Sequence, residues 1–352
     1  MTAPALTGPP VSARRELLAF ARLHWTDGPV AAAAVLVLLL QVYNLFAPAF
    51  TAYQALILST GSLTLALAAV GETLVVLTGG FDLSTGAIIA FTNVVLATHL
   101  TGSAAHQAGA VLLALALATA AGTVNGLLVA YLRLQPIIVT IATMFVFNGL
   151  ALAVLDQPGG DVPSGFPNTL NSTLGPIPFA LVALVVVALA WVAVRRTRFG
   201  KSLYAIGGDR QAATAAGIPV RRTLVATYAL AGLCYGLAGV TLTAQMSSGD
   251  PGVGSSFLLT AFIAVVIGGT RFGGGAGSAV GSIIGAVITT LIVGVLTVSG
   301  VNSFATNIAE GLLLVAAVLL TAATGRLRVR RPTFAWRADV SRKPASKQGG
   351  ST

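Results

Sequence analysis

Apolar residues in this chain come in long unbroken runs, not in the alternation of a half-buried strand or the one-sided stripe of a surface helix. The runs fall near residues 30–47, 55–78, 83–100, 108–132, 135–155, 178–194, 223–244, 255–270, 277–298 and 304–323. About 20 mostly apolar residues carry a helix across a bilayer core of about 30 Å. The pattern therefore predicts an all-α polytopic membrane protein with about ten transmembrane helices. The shortest run, 255–269, reaches only about 22 Å as a helix, so it is either a tilted crossing or a re-entrant segment. Crossing is the expectation, because it keeps the eight basic residues from Arg326 to Lys347 on the side of the other basic loops.

Charge adds orientation. With ten crossings, all 20 Lys and Arg residues fall on one side, in residues 1–28, at Arg133, in 195–222, at Arg271 and beyond 325. The opposite loops, near Thr51, Gly102, Gly160, Gly249 and Gly300, hold none. Basic loops stay in the cytoplasm, which places both termini there. The chain divides into a cytoplasmic segment 1–28, a membrane domain 29–324 whose longest inner loop is 195–222, and a basic tail 325–352 with the composition of a disordered, lipid-facing end. The first apolar stretch is expected to be a retained helix, not a cleaved leader.

Composition narrows the chemistry. The chain is 55% hydrophobic with 9% charged residues, against roughly 25% charged in soluble domains. The net charge of +10 is spread between apolar runs, which excludes a nucleic-acid-binding domain. One cysteine, Cys234, permits no intramolecular disulfide or Cys cluster. His24, His99 and His106 have no metal-ligand spacing to another His, Cys or carboxylate. No Gly-Lys-Ser/Thr phosphate loop occurs, so the chain has no ATPase site. No catalytic residue, metal or cofactor is expected.

Polar residues inside the apolar runs are the candidates for function. Gly79-Gly80 breaks a helix, and lipid cannot satisfy the freed backbone groups, so the break faces protein or a water-filled path. Asp82 then either caps the next helix through the Ser84 and Thr85 N–H groups or contacts a solute. Glu72 and Glu310 are ionisable groups in apolar runs and are expected to face the bundle interior. Asn125, Asn148 and Gln245 either hydrogen-bond a polar solute or tie helices together. With Thr73 and Ser84, the residues Glu72, Asp82, Asn125, Asn148 and Gln245 form the candidate pathway set. The small-residue frames at 231–239 and 277–286 suit close helix packing.

The inner loop RRTRFGKSLYAIGGDRQAATAAGIPVRRT, residues 195–223, reads as a docking element. Asp209 can cap a short helix through Gln211–Ala216, Gly217 and Pro219 end it, and its alanines permit close approach of a partner. A plain surface helix between two spans is the alternative. The segment resembles the coupling loop of permeases of ATP-binding-cassette importers, with Gly207, Gly208, Asp209, Ala212, Ala213, Ala216 and Gly217 in the motif; Asp209 stands where Glu is common. Residues 71–91, GETLVVLTGGFDLSTGAIIAF, and 122–152 narrow the likeness to the ribose and simple-sugar permeases, over about Leu56 to Leu320. Glu72 departs from the apolar or amide residue usual before Thr73.

That resemblance implies a multi-pass subunit of a bacterial cytoplasmic (inner) membrane that moves a monosaccharide, pentose or hexose, by alternating access. Its implied partners are a separate ATP-binding-cassette ATPase, a periplasmic or lipid-anchored sugar-binding protein, and a second permease copy, identical or a sister chain. Related permeases carry branched-chain amino acids or nucleosides. An ion-coupled secondary transporter is the alternative from another class, supported by Glu72 and Glu310 alone. The outer loop 156–178, rich in Gly and Pro, is either a binding-protein dock or a plain connection.

Overall fold

The computed structural model describes residues 52–302 other than 171, together with 304–306, 308–312, 315 and 319. The predicted helix at 30–47, the segment 1–28 and the tail 325–352 lie outside the described residues, and the predicted helix at 304–323 is described only in part.

Eight of the apolar runs are helices: α1 (Ala52–Leu77), α2 (Thr85–His99), α3 (Ala104–Ala130), α4 (Pro136–Val154), α6 (Phe179–Arg196), α9 (Val220–Met246), α10 (Gly254–Ile267) and α11 (Ala279–Val298). Shorter pieces join them: α5 (Gly165–Leu170) in the 156–178 loop, and α7 (Arg198–Gly208) and α8 (Arg210–Ala215) in the 195–222 loop. Six helices, α1, α3, α4, α6, α9 and α11, are long and apolar enough to cross a membrane. The other two, α2 and α10, have 15 and 14 residues, about 21–22 Å at 1.5 Å per residue. Neither spans a full hydrocarbon core on its own length.

Strict all-α architecture is corrected in one place. Thr173–Leu174 and Ile177–Pro178 pair as two short antiparallel strands, β1 and β2. The Gly175-Pro176 turn between them explains the pairing, since Gly175 takes a positive φ of 64° that hairpin turns favour. This loop is also tied to the turn after α9, where Gly159 and Gly249 exchange backbone hydrogen bonds of 2.9 and 2.7 Å.

α1 is buried nearly all round and forms the centre of the bundle, whereas α4 and α6 turn most of their surface outward. A helix apolar on every face belongs in such surroundings, between other helices or against lipid. The most extensive packing joins α3 to α9. Along α3 the residues Ala110, Ala114, Ala118, Gly122 and Gly126 recur every fourth position on the buried face, and Gly122 lies against the Tyr228 carbonyl and Gly232 of α9. A seam of small residues lets two backbones meet without a hydrophobic driving force. It also carries Asn125, the neighbour of Gly126, into the interior. The expected close packing at 277–286 is present too, where α11 presents Gly285 to the Ala264 carbonyl of α10.

α1 and α10 stop in the same way. In α1, Gly79 N–H donates to Val76 O (2.9 Å) and Gly80 N–H to Val75 O (3.1 Å); in α10, Gly269 N–H donates to Val266 O (2.9 Å) and Thr270 N–H to Val265 O (3.1 Å). These are two Schellman ends, each built on a left-handed glycine, with φ of 79° at Gly79 and 80° at Gly269.

Candidate functional site

The break after α1 folds back on α1 itself. Glu72, one turn and a half before the helix end, accepts at Oε1 from the Asp82 N–H (3.2 Å) and at Oε2 from the Thr85 hydroxyl (2.9 Å) and the Tyr235 hydroxyl (3.2 Å). Asp82 Oδ1 accepts from the Ser84 N–H (3.0 Å) and the Ser84 hydroxyl (2.5 Å), and Asn125 Nδ2 donates to Ser84 Oγ (2.9 Å). One polar network thus ties α1, the break, α2, α3 and α9. Glu72, Asp82, Ser84, Thr85, Asn125 and Tyr235 are all fully buried, and a carboxylate is tolerated in such surroundings only where donors converge on it. Two acceptor oxygens, Asp82 Oδ2 and Asn125 Oδ1, have no protein partner.

Part of the capping expectation is therefore corrected. Ser84, not Asp82, occupies the N-cap position of α2, and it makes no side-chain cap. Asp82 takes the Ser84 N–H as expected. Thr85 is held by its hydroxyl, which donates to Glu72 and to the Asp82 carbonyl (2.8 Å). The reason is competition: Glu72 supplies a second acceptor to the same short stretch.

The remaining candidates separate. Thr73 is buried and donates to the Ala69 carbonyl (2.6 Å) and to Ser282 Oγ of α11 (2.7 Å). Gln245 is partly buried, with Nε2 on the Thr60 carbonyl (2.7 Å) and Thr64 Oγ1 (2.6 Å), and Thr64 meets Thr241 at 2.7 Å. Both join helices. Asn148 differs, because it lines a cleft of about 530 Å³ between α2, α4 and α10, with Met144, Gly252, Ser255 and Leu259. Among the described residues its side chain has no hydrogen-bond partner.

Sequence reading overlooked several partners. Tyr235 and the hydroxyl of Thr85, a residue considered there only for its N–H, complete the shell around Glu72. Asn93 of α2 pins the turn before α10, donating to Thr243 Oγ1 (2.9 Å) and the Ser248 carbonyl (3.0 Å) and accepting from the Asp250 N–H (2.8 Å). Asn93 carried the same signal as Asn125, an amide in an apolar run. Ser255 stood in plain view at the start of the short run.

In the 195–222 loop the predicted cap is present. Asp209 Oδ1 accepts from the Gln211 and Ala212 N–H groups at 2.8 and 3.0 Å. α8 ends in a Schellman motif, with Gly217 N–H on Thr214 O (3.0 Å), Ile218 N–H on Ala213 O (3.1 Å) and a φ of 79° at Gly217. Ala212, Ala215, Ala216 and Gly217 are exposed. Ala213 is not: at 4% exposure it packs with Ala130, Ile206, Val220 and Leu224. A helix of six residues anchored at both ends must turn one face inward, and Ala213 lies on that face.

α7, which the sequence left unassigned, connects this surface to the break. Gly207 lies against the Leu77 carbonyl and Gly275, closer than any side chain would permit, and Gly275 N–H donates to that same carbonyl (3.0 Å). Tyr204 donates to the Gly277 carbonyl (2.8 Å) with the Arg195 guanidinium 5.7 Å from its ring. Burial pushes the Tyr204 phenol above its ordinary range, against a smaller opposite pull from Arg195, so the phenol keeps its proton and its bond at neutral pH.

The chain matches the family described as "Branched-chain amino acid transport system / permease component" over residues 54–323. It is 36% identical to the ribose import permease protein RbsC of Bacillus subtilis (strain 168) over 258 residues, covering 72% of this chain and 80% of the relative. It is 32% identical to the galactose/methyl galactoside import permease protein MglC of Escherichia coli (strain K12), covering 72% and 81%. Against the autoinducer 2 import system permease protein LsrD of Photorhabdus laumondii the figure is 30%, over 82% and 89%. No solved structure matches. With an apolar helical bundle, a break at TGGFDLSTG and an exposed capped helix at Asp209–Gly217, this chain belongs to that family of membrane import permeases.

Proposed function

We propose that this chain is the permease subunit of an ATP-driven importer that carries a monosaccharide, pentose or hexose, across the cytoplasmic membrane of a bacterium. The observation that carries this reading is the construction of the 195–222 loop. α8 is capped at both ends, shows alanines outward, and is connected through Gly207 of α7 to the end of α1. A motor that pushes on α8 thereby moves the break. The ATPase sits on this basic, cytoplasmic end; a solute-binding protein loads the opposite end near 156–178; a second permease copy completes the path.

The sugar reading is supported by relatives named for ribose and galactose import. A secondary transporter has less support, because both oxygens of Glu72 already accept hydrogen bonds from the protein. Within the bundle, the Asn148 cleft is the surface fitted to solute hydroxyls. The buried network instead holds the helices that move.

The test is reconstitution in proteoliposomes with the ATPase and binding protein of the same importer. Replacing Ala212 and Ala216 by Trp places bulk on the outward face of α8 and leaves the inward Ala213 alone. Solute-stimulated ATP turnover is expected to fall at least about tenfold, on the scale of a lost interface anchor. Unaltered turnover, or uptake by the permease without any ATPase, overturns the reading.

A further inference from the structure

Where α3 ends and α9 begins, a cleft of about 680 Å³ carries four arginines, Arg133, Arg210, Arg221 and Arg222. All four are exposed, and among the described residues none pairs with a carboxylate. The nearest acid in sequence, Asp209, is turned to the N–H groups of α8. Among the described residues, the one partner of these guanidiniums is the Tyr131 ring, 5.8 Å from that of Arg221. Apart from Thr214 and Tyr131 the rest of the wall is apolar, with Val129, Leu134, Pro219 and Val220.

We propose that this cleft binds the phosphate headgroup of an anionic phospholipid from the cytoplasmic leaflet. Planar guanidiniums match phosphate oxygens two at a time, and basic pockets between membrane helices on the cytoplasmic side are suited to acidic headgroups. The lining distinguishes a lipid from other anions. Leu127, Leu132, Leu134 and Ile138, all exposed, continue the apolar wall from the cleft onto the outer faces of α3 and α4, where an acyl chain can lie. Free phosphate would use the arginines and leave that continuation without purpose. Arg210 and Thr214 belong to α8, the helix offered to an ATPase, whereas Leu134 precedes α4 and belongs to the apolar continuation. A headgroup here joins one lip formed by α8 to the other formed by the α3–α4 turn. It therefore steadies the docking helix from the membrane side and makes the position of α8 sensitive to the acidic lipid content of the leaflet.

The experiment is native mass spectrometry of the full chain taken from nanodiscs of mixed phosphatidylglycerol and phosphatidylcholine. One phosphatidylglycerol per chain is expected to be retained in preference to phosphatidylcholine. The double variant R133Q/R221Q should weaken that retention roughly twenty-five-fold, a factor of about five per arginine. R133K/R221K, which keeps the charge, should retain most of it and serves if the neutral variant does not fold. R196Q/R198Q removes equal charge from the same end outside the cleft and should leave retention unchanged. Equal retention by R133Q/R221Q and the unaltered chain overturns the proposal, as does equal loss in R196Q/R198Q. Displacement of the lipid by millimolar inorganic phosphate assigns the site to a soluble anion, and displacement by the ATPase assigns the arginines to that protein; either result also overturns it.

Discussion

Two aspartates in this chain stand just ahead of a helix, and their fates differ. Asp209, exposed, takes the first N–H groups of α8 on one carboxylate oxygen. Asp82, buried, takes Ser84 twice and leaves its second oxygen without a protein partner, while Glu72 from another helix gathers the Asp82 N–H and the Thr85 hydroxyl. At the surface the only competitor for a helix's orphan donors is water, so the nearest carboxylate becomes the cap. In the interior every polar group seeks a partner, and a neighbouring helix can outbid the local choice. The C-terminal ends show no such contrast: α1 and α8 both stop on a left-handed glycine with the same pair of bonds, because that motif is made by the backbone alone.

The most severe way to break the comparison is Glu72→Ala. It strips the acceptor from the Asp82 N–H and the Tyr235 hydroxyl and leaves the Thr85 hydroxyl only the Asp82 carbonyl, and an unsatisfied buried donor costs about 1–3 kcal/mol. A loss of about 3 kcal/mol or more is expected in thermal unfolding of the purified protein, together with failure to insert at normal levels. Glu72→Gln keeps an acceptor for part of the set and should cost less than half as much. If alanine and glutamine behave alike, the network is not what holds the break.

Asp209→Ala should act in the opposite manner. Loss of an N-cap costs about 1 kcal/mol, but it falls on a six-residue helix at the surface. Global unfolding should barely move while hydrogen exchange across α8 accelerates about fivefold, 1 kcal/mol expressed as an equilibrium. Gly217→Ala should give a similar local effect of about 1 kcal/mol, since φ of 79° is a conformation that a Cβ penalises. Should either change lower the global unfolding temperature as far as Glu72→Ala does, α8 is part of the folding core and not an independent docking element.

This division also explains what the sequence could reveal. The helices were legible because a run of apolar residues needs no partner to be recognised, and each described run became a helix within a few residues of its expected ends. α8 was legible because Asp209, the alanines and Gly217 act on one another within one short segment. The inward turn of Ala213 was not, since it depends on Ala130 and Leu224 far along the chain. Glu72 was expected to face the interior and is buried there, but Tyr235 lies 163 positions from its acceptor, and no local pattern joins them. α7 escaped notice because its meaning lies in what Gly207 touches.

The smallest expected effect on stability makes the sharpest distinction within the candidate pathway. Asn125 is fixed by Ser84, so Asn125→Ala removes a buried tie and should destabilise the fold by about 1 kcal/mol, an ordinary hydrogen bond. Asn148 faces the cleft beside Ser255, and its side chain has no hydrogen-bond partner among the described residues, so Asn148→Ala should change unfolding by no more than about 0.5 kcal/mol. Its larger effect is expected in transport. If the cleft is where solute hydroxyls pass, removing the amide raises the solute concentration needed for half-maximal uptake several-fold, a hydrogen bond of about 1 kcal/mol, while ATP turnover without solute stays the same. Uptake kinetics in proteoliposomes measure this directly. Unchanged half-saturation in Asn148→Ala, alongside a clear shift in Asn125→Ala, would return the pathway to the buried network and reverse the roles that burial assigns to the two amides.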